Sequence, residues 1–310
     1  MNTNASKNRL ITGDKGFVGN LCIQTWPNAV GLSELAGADV DICDKAALKQ
    51  ALSQITAHSP LTEVLHLAGI SFVPDAVANP RGTYEVNFLG TLNVLECLQE
   101  LGFKGRLIYV SSGDAYGLVA TDHLPVHEDM PLMPRNPYAV SKAAAEALCY
   151  QWSQNSGFEV LVARPFNHIG PGQSERFALS DFAKQIAGMR HSVGEKKLSV
   201  GNIEVTRDFL DVRDVVRAYD MLFKGGSNAN VYNICSSREY LLSDLVRRLI
   251  HISGIDIAIE VDASRWRPAE QTRMVGNNTR LTHATGWTPV VDLDDTLLQI
   301  YQYWEHQLEK

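Results

Sequence analysis

The sequence predicts an α/β fold in which a doubly wound parallel sheet is joined to a smaller C-terminal α/β lobe, and three observations carry that reading. Arg9-Leu10-Ile11-Thr12, Glu63-Val64-Leu65-His66-Leu67, Arg106-Leu107-Ile108-Tyr109-Val110 and Val160-Leu161-Val162-Ala163 are near-continuous apolar runs, as expected of parallel strands covered on both faces. Stretches of helical periodicity separate them, as crossover connections require. The first run leads at once into Gly13-Asp14-Lys15-Gly16-Phe17-Val18-Gly19, a GxxGxxG turn entering a helix, which is the arrangement of a Rossmann-type nucleotide site.

A chain of 310 residues with 45% hydrophobic content can bury a large core, as one large or two smaller domains. Its net charge of −7 argues against a nucleic-acid or anionic-membrane partner, though it leaves room for a local basic pocket. The start, Met1 to Arg9, is polar and runs into a strand, and no stretch of about twenty apolar residues follows. The five cysteines, Cys22, Cys43, Cys97, Cys149 and Cys235, lack CxxC spacing, so neither a disulfide framework nor a metal site is indicated. The expectation is a cytoplasmic protein with no metal.

In the glycine-rich turn the backbone can approach a pyrophosphate, whose charge the helix N-terminus meets. Gly13, Gly16, Phe17, Val18 and Gly19 are therefore the first cofactor-binding candidates. A second strand is expected over Ala29-Val30-Gly31-Leu32, after which Ser33-Glu34 stand where the adenosine ribose is read. A carboxylate there favours NAD, and an arginine favours the 2′-phosphate of NADP. Glu34 falls one residue late and no arginine is near, so the choice between NADPH and NADH stays open.

Asp39 to Asp44 reads as the loop after a short third strand. Asp41, beside Ile42, is placed to accept from an adenine amino group, and Asp44 suits the N-cap of the helix holding Ala46-Ala47-Leu48. The strand from Glu63 ends in Leu67-Ala68-Gly69, where small residues let a backbone pass close to a ligand; His66 within it reads as a buried, hydrogen-bonded core histidine. Asn87 opens a helical stretch, either as a structural hydrogen-bonder or as a group near the nicotinamide.

The strand at Arg106–Val110 runs into Ser111-Ser112-Gly113-Asp114. Ligands in open parallel sheets lie beyond the carboxyl ends of strands, so these side chains face the active site, and Ser112 can donate to a carbonyl oxygen. A sixth strand is expected over Val160–Asn167. The Gly and Pro cluster from His168 to Gln173 then breaks the alternation. This places a dinucleotide-binding domain over 1–166, with segments near 208–235 returning to it, and a second lobe over 167–207 and 236–310. Within them, helices are expected around Phe182–Ile186, after Asp211 and over Leu241–Ile252, a strand over Asn230–Ile234 and a loop at Trp266–Glu270.

Asn136-Pro137-Tyr138-Ala139-Val140-Ser141-Lys142 opens a helix, with Asn136 as N-cap and Pro137 at the first position, where its missing N–H costs nothing. Tyr138 and Lys142, at i and i+4, share a face. An ammonium beside a phenol favours the phenolate and is expected to pull the tyrosine from about 10 toward the working range of a proton donor. By itself the pair is also what an exposed surface helix would show. Together with Ser112 it forms a catalytic set suited to reducing a ketone or oxidising an alcohol.

Gly13-x-x-Gly16-x-x-Gly19, Ser112 and Tyr138-x-x-x-Lys142, in this order, resemble the extended short-chain dehydrogenase/reductase superfamily. Ala163-Arg164-Pro165-Phe166-Asn167-His168-Ile169-Gly170-Pro171-Gly172-Gln173, Val200 to Phe209, Tyr232 to Ser236 and Thr285-Gly286-Trp287-Thr288-Pro289 look like its GDP-mannose branch. The resemblance implies NADPH or NADH as cofactor, a GDP-sugar as substrate, a homodimer, and reduction of the C4 ketone of GDP-4-dehydro-6-deoxy-D-mannose to GDP-D-rhamnose. It implies Ser112, Tyr138 and Lys142 as catalytic residues, with Tyr138 and Lys142 also touching the cofactor. Ser112, Asp114 and Asn167 would lie beside the substrate, with Arg207 and Arg267 clamping its phosphates, a task that suits planar guanidinium groups.

Related 4,6-dehydratases carry Asp or Ser at the place of Gly113 and Glu at that of Asp114. A bare Gly113 and a shorter acid serve proton removal at C5 poorly, so a dehydratase or bifunctional enzyme is the alternative. Fucose-pathway epimerase-reductases carry Cys at the place of Asp114 and His at that of Gly172, and neither is present here. A non-catalytic, cofactor-sensing protein is a third reading, opposed by the intact Tyr138 and Lys142.

Overall fold

Six parallel strands make one sheet, and their apolar runs are explained by cover on both faces. The computed structural model describes residues 8–36, 40–58, 60–190, 194–266 and 271–309. β1 (Arg9–Thr12) leads to α1 (Phe17–Thr25), β2 (Ala29–Gly31), a short α2 (Leu32–Ala36) and α3 (Lys45–His58). β3 (Glu63–His66) is followed by α4 (Val73–Ala78), α5 (Pro80–Tyr84) and α6 (Gly90–Glu100), the last two joined by a π-helical turn at Glu85–Leu89. β4 (Arg106–Val110) continues through a 3₁₀ turn (Gly113–Tyr116) toward α7 (Pro137–Asn155) and β5 (Glu159–Pro165).

After it come β6 (Asn167–Ile169), α8 (Ala178–Met189), β7 (Lys197–Val200), β8 (Thr206–Arg207), β9 (Phe209–Asp211) and α9 (Val212–Gly225). The chain then forms β10 (Val231–Ile234), β11 (Tyr240–Leu241), α10 (Leu242–Ser253), β12 (Ala258–Val261), α11 (Thr279–Thr285) and α12 (Leu293–Leu308).

The sheet order is β10-β5-β4-β3-β1-β2. Successive strand residues point to opposite faces. Leu10, Val64, Leu107 and Val160 pack on one side with Leu48, Leu95 and Cys149 from α3, α6 and α7. Ile11, Leu65, Ile108 and Leu161 pack on the other with Cys22, Tyr219 and Trp287. A further core joins α8, α10 and α12 through Phe182, Ile186, Leu245, Leu249, Leu297 and Trp304. The order reverses between β1 and β3, where a crevice opens at the carboxyl edge.

Two expectations are corrected. Among the described residues no strand stands between β2 and α3: Leu32–Ala36 is helical, because Ser33 turns back to hydrogen-bond Asp14, while Gly37 to Asp39 lie outside the described residues. The Val160 strand is the fifth of the sheet and ends at Pro165, with one further bond from Phe166 N to the Ile234 carbonyl at 2.9 Å. Asn167–Ile169 leaves to pair with Phe209–Asp211, and β10 takes the sixth place.

Asp208 fastens the segments that meet at this seam. Its buried carboxylate accepts from Ser236 N at 2.7 Å, Ser236 Oγ at 2.6 Å, Ser237 N at 3.0 Å and Gly276 N at 3.2 Å. Burial pushes it up to about 6 against these bonds. Asp208→Asn keeps the shape but turns an amide nitrogen toward backbone donors. It is expected to lower the unfolding free energy by about 2 kcal/mol, read from denaturant titration.

Candidate active site

Gly13 leaves β1 with φ at +69°, in the region glycine adopts freely. A Cβ on Gly13 would stand 2.8 Å from Ala68 N, and one on Gly19 would stand 2.2 Å from the Gly13 carbonyl oxygen. The glycine turn and the end of β3 therefore approach to backbone contact at the switch point. Gly13, Gly16, Asp41, Ile42, Ala68 and Gly69 line a cavity of about 250 Å³ there with Ser33, joined by Asp14, Lys15, Leu32, Val40 and Val86, which the motif reading did not single out as ligand contacts.

The Asp14 carboxylate accepts from Ser33 N at 3.2 Å and from the Ser33 hydroxyl. It lies where a Cβ on Gly31 would meet Oδ2 at 2.2 Å. The acid that reaches the end of β2 thus comes from the glycine turn rather than from Glu34, and a glycine closing β2 is the sequence signal for it. Asp41 accepts from Cys43 N at 2.9 Å, and Asp44 caps α3 by accepting from Ala46 N and Ala47 N, both at 3.0 Å. Phe17 stacks on His168, with ring centroids 6.3 Å apart and planes 1° apart. Val18 and Leu67 pack their side chains against the core, so what they offer a ligand is backbone.

These residues fit a nicotinamide dinucleotide. Backbone is bare where a pyrophosphate must come close, the N-terminus of the nine-residue α1 meets its charge, and polar groups stand at the adenosine end. Gly19→Ala drives a methyl into the Gly13 carbonyl. It is expected to weaken NADPH and NADH binding by about 100-fold, measured by nicotinamide fluorescence on titration.

Asn136 caps α7 by accepting from Ala139 N at 2.8 Å. Tyr138 and Lys142 are only 8% and 6% exposed, which removes the surface-helix reading. Lys142 Nζ donates to the Val110 carbonyl at 2.8 Å. It lies 6.0 Å from the Tyr138 ring centroid and 3.7 Å from where a Cβ on Gly69 would stand. The ammonium therefore sits between the end of β4 and the glycine cradle. Ser112 caps the 3₁₀ turn by accepting from Asp114 N at 3.1 Å, and its hydroxyl is near enough to Tyr138 to favour the phenolate.

Asn87 is a structural lock. It donates to the Ile70 carbonyl at 3.0 Å and to Ser141 Oγ at 2.9 Å, and accepts from Ile70 N at 2.7 Å. His66 is buried between Thr12 at 2.7 Å and Thr91 at 3.0 Å, as expected.

The electrostatics correct the expected acidified phenol. Burial pushes Tyr138 well above its ordinary value, the Asp114 charge adds to this, and only the Ser112 hydrogen bond pulls down. Lys142, with Nζ 6.0 Å from the ring centroid, does not offset the burial; its own burial pulls it down to about 8, against Cys149 and Glu146. The phenol is accordingly protonated at neutral pH, the state a proton donor needs.

Asp114 is open to water but lies in a concave site whose protein atoms push its carboxyl up, while Arg207 draws it down. Arg207 donates to the Thr206 carbonyl at 2.7 Å and the Gln271 carbonyl at 2.9 Å. Asn167 is exposed and donates to the Asp208 carbonyl at 3.3 Å. Arg267 lies outside the described residues.

An ammonium titrating at about 8 is charged below that pH and neutral above it. If its charge supports turnover, kcat/KM is expected to fall as pH rises through about 8, in a profile corrected for the cofactor's own stability.

The parallel sheet, the cradle at its switch point and the Ser112, Tyr138 and Lys142 arrangement define a nicotinamide-dependent short-chain dehydrogenase/reductase of the extended type, a nucleotide-sugar enzyme. The chain belongs to the GDP-mannose 4,6-dehydratase family, whose model matches residues 28–300. It is 47% identical over 247 residues, 80% of this chain and 81% of the relative, to GDP-6-deoxy-D-mannose reductase of Pseudomonas aeruginosa. The structure of RMD from Pseudomonas aeruginosa complexed with NADPH superposes with a TM-score of 0.89 at 42% identity, over 97% of this chain and 99% of that one. GDP-mannose 4,6-dehydratase of Vibrio cholerae is more distant, 24% identical over 84% of this chain and 76% of the relative.

Proposed function

We propose that the protein reduces the C4 ketone of GDP-4-dehydro-6-deoxy-D-mannose to GDP-D-rhamnose, with NADPH or NADH as reductant. The observation that carries this is the meeting of the Ser112 and Tyr138 hydroxyls between Lys142, which borders the glycine cradle, and Asp114, which faces Arg207. The 47% identity to a GDP-6-deoxy-D-mannose reductase supports the substrate.

In this reading Ser112 donates to the C4 oxygen and polarises it, and Tyr138, loaded with its proton, gives that proton to the same oxygen as it becomes an alkoxide. What a reduced nicotinamide supplies when bound is the hydride that C4 receives. Lys142 holds the cofactor's ribose side and offsets the charge left on Tyr138. Asn167, Arg207 and Arg267 orient the sugar and its diphosphate within the lobe of 167–207 and 236–310. The protein would work in the cytoplasm as a homodimer, the dimer being supported by the exposed apolar side chains Tyr84, Leu89, Val140 and Tyr150 along α5, the π-helical turn and α7.

Reduction is favoured over dehydration by position 113. A Cβ there would stand 3.2 Å from the Phe166 ring, so an acid side chain beside Ser112 needs that ring to give by a few tenths of an ångström. Purified keto-sugar is expected to consume one equivalent of NADPH or NADH and give GDP-D-rhamnose by NMR, while GDP-mannose without added reductant stays unchanged. Tyr138→Phe is expected to lower kcat by about 1,000-fold with cofactor affinity retained. A wild-type enzyme that oxidises neither cofactor against the keto-sugar refutes the reading.

A further inference from the structure

Both ends of the turn that carries Ser112 are fastened to one buried ion pair on the catalytic helix. Glu146 lies one helical turn beyond Lys142 and two beyond Tyr138, and is 6% exposed; Arg164, on β5, is 4% exposed. Arg164 grips the carboxylate with Nε at 2.9 and 3.1 Å and Nη2 at 2.5 Å. At the near end of the turn, Ser111 Oγ donates to Glu146 Oε1, and Ser111 is the residue before Ser112. At the far end, Arg164 Nη1 donates to the Tyr116 hydroxyl at 2.9 Å, with the guanidinium over the Tyr116 ring at 4.8 Å. Tyr116 in turn donates to Asn233 Oδ1 at 2.7 Å, whose backbone N–H donates to Glu128 at 2.9 Å.

We propose that Ser111, Glu146, Arg164 and Tyr116 are positioning residues: the ion pair is a jig that sets the gap between the Ser112 and Tyr138 hydroxyls. The inference rests on the reductase reading for its chemistry. Two of the groups that must reach one oxygen stand on different elements, a β4 tip and a helix; Lys142 ties the helix to Val110 at the start of the turn, and the ion pair holds the turn itself at Ser111 and at Tyr116. Hydrogen bonds to a charged partner are the strong, directional kind, and a bidentate arginine leaves a carboxylate little freedom to rotate. A misplacement of about 1 Å at reacting groups costs about 100-fold in rate, so even a slight loosening is visible in turnover.

Ser111→Ala and Tyr116→Phe each cut one tether and leave the ion pair whole. Each is expected to lower kcat for the keto-sugar by about tenfold, with the cofactor dissociation constant unchanged. The deuterium isotope effect on hydride transfer should rise as chemistry slows relative to product release, and Ser111→Thr should recover kcat to within about twofold because it keeps the hydroxyl. Variants that lose unfolding free energy while kcat and the isotope effect stay put would make the network a fold element only and overturn the proposal.

Wild-type turnover reports on the substrate reading alone. Should it be absent, amide hydrogen exchange at 112–115 still tests the jig. Faster exchange in both variants at equal global stability supports it, and unchanged exchange overturns it.

Discussion

A phenol and an ammonium are carried out of water together at the start of one helix, and the character of the site follows from that burial. Asn136 and Pro137 decide where α7 begins. Ala139 and Ala145, both fully buried, let its inner face press against the rest of the fold. In so enclosed a place the charged forms of both groups are penalised, so the tyrosine keeps its proton and the lysine holds its own less firmly. The same burial reserves one carbonyl, that of Val110, to fix the ammonium. Proton-donor character here comes from desolvation and alignment rather than from an ammonium lowering the phenol.

The cofactor cradle has a different origin, in topology. Because the strand order reverses between β1 and β3, the connections leaving these two strands diverge to opposite faces, and a crevice lined by Gly13 and Ala68 opens at their carboxyl ends. The missing side chains at 13 and 19 are conditions for the backbone to close on itself there. Asp14 and Ser33 meet beyond the ends of β1 and β2, at one side of that crevice, so the turn that would receive the pyrophosphate also supplies the acid at the adenosine end.

Much of this could be read from the letters. Periodicity and turn chemistry placed most of the strands and the N-caps at Asp44 and Asn136, since each depends on neighbours close in sequence. Pair spacing also placed Tyr138 and Lys142 on one face. What escaped was set by contacts between distant residues. The direction of the tyrosine shift depends on how much protein surrounds α7. The role of Asp14 depends on Gly31 leaving room for it. The early end of the Val160 strand depends on Asn167 finding Phe209 as a partner, and the link from Ser111 and Arg164 to Glu146 joins three elements that no local pattern connects.

The packing of Phe166 against Gly113 constrains how this scaffold can diversify. An acid installed beside Ser112 by one substitution needs the ring to shift by a few tenths of an ångström. A smaller residue at 166 would ease that shift, and by itself that change opens a void next to Cys235 and Gly276. New chemistry at 113 is therefore coupled to the packing at 166, so the two positions diversify together rather than one at a time.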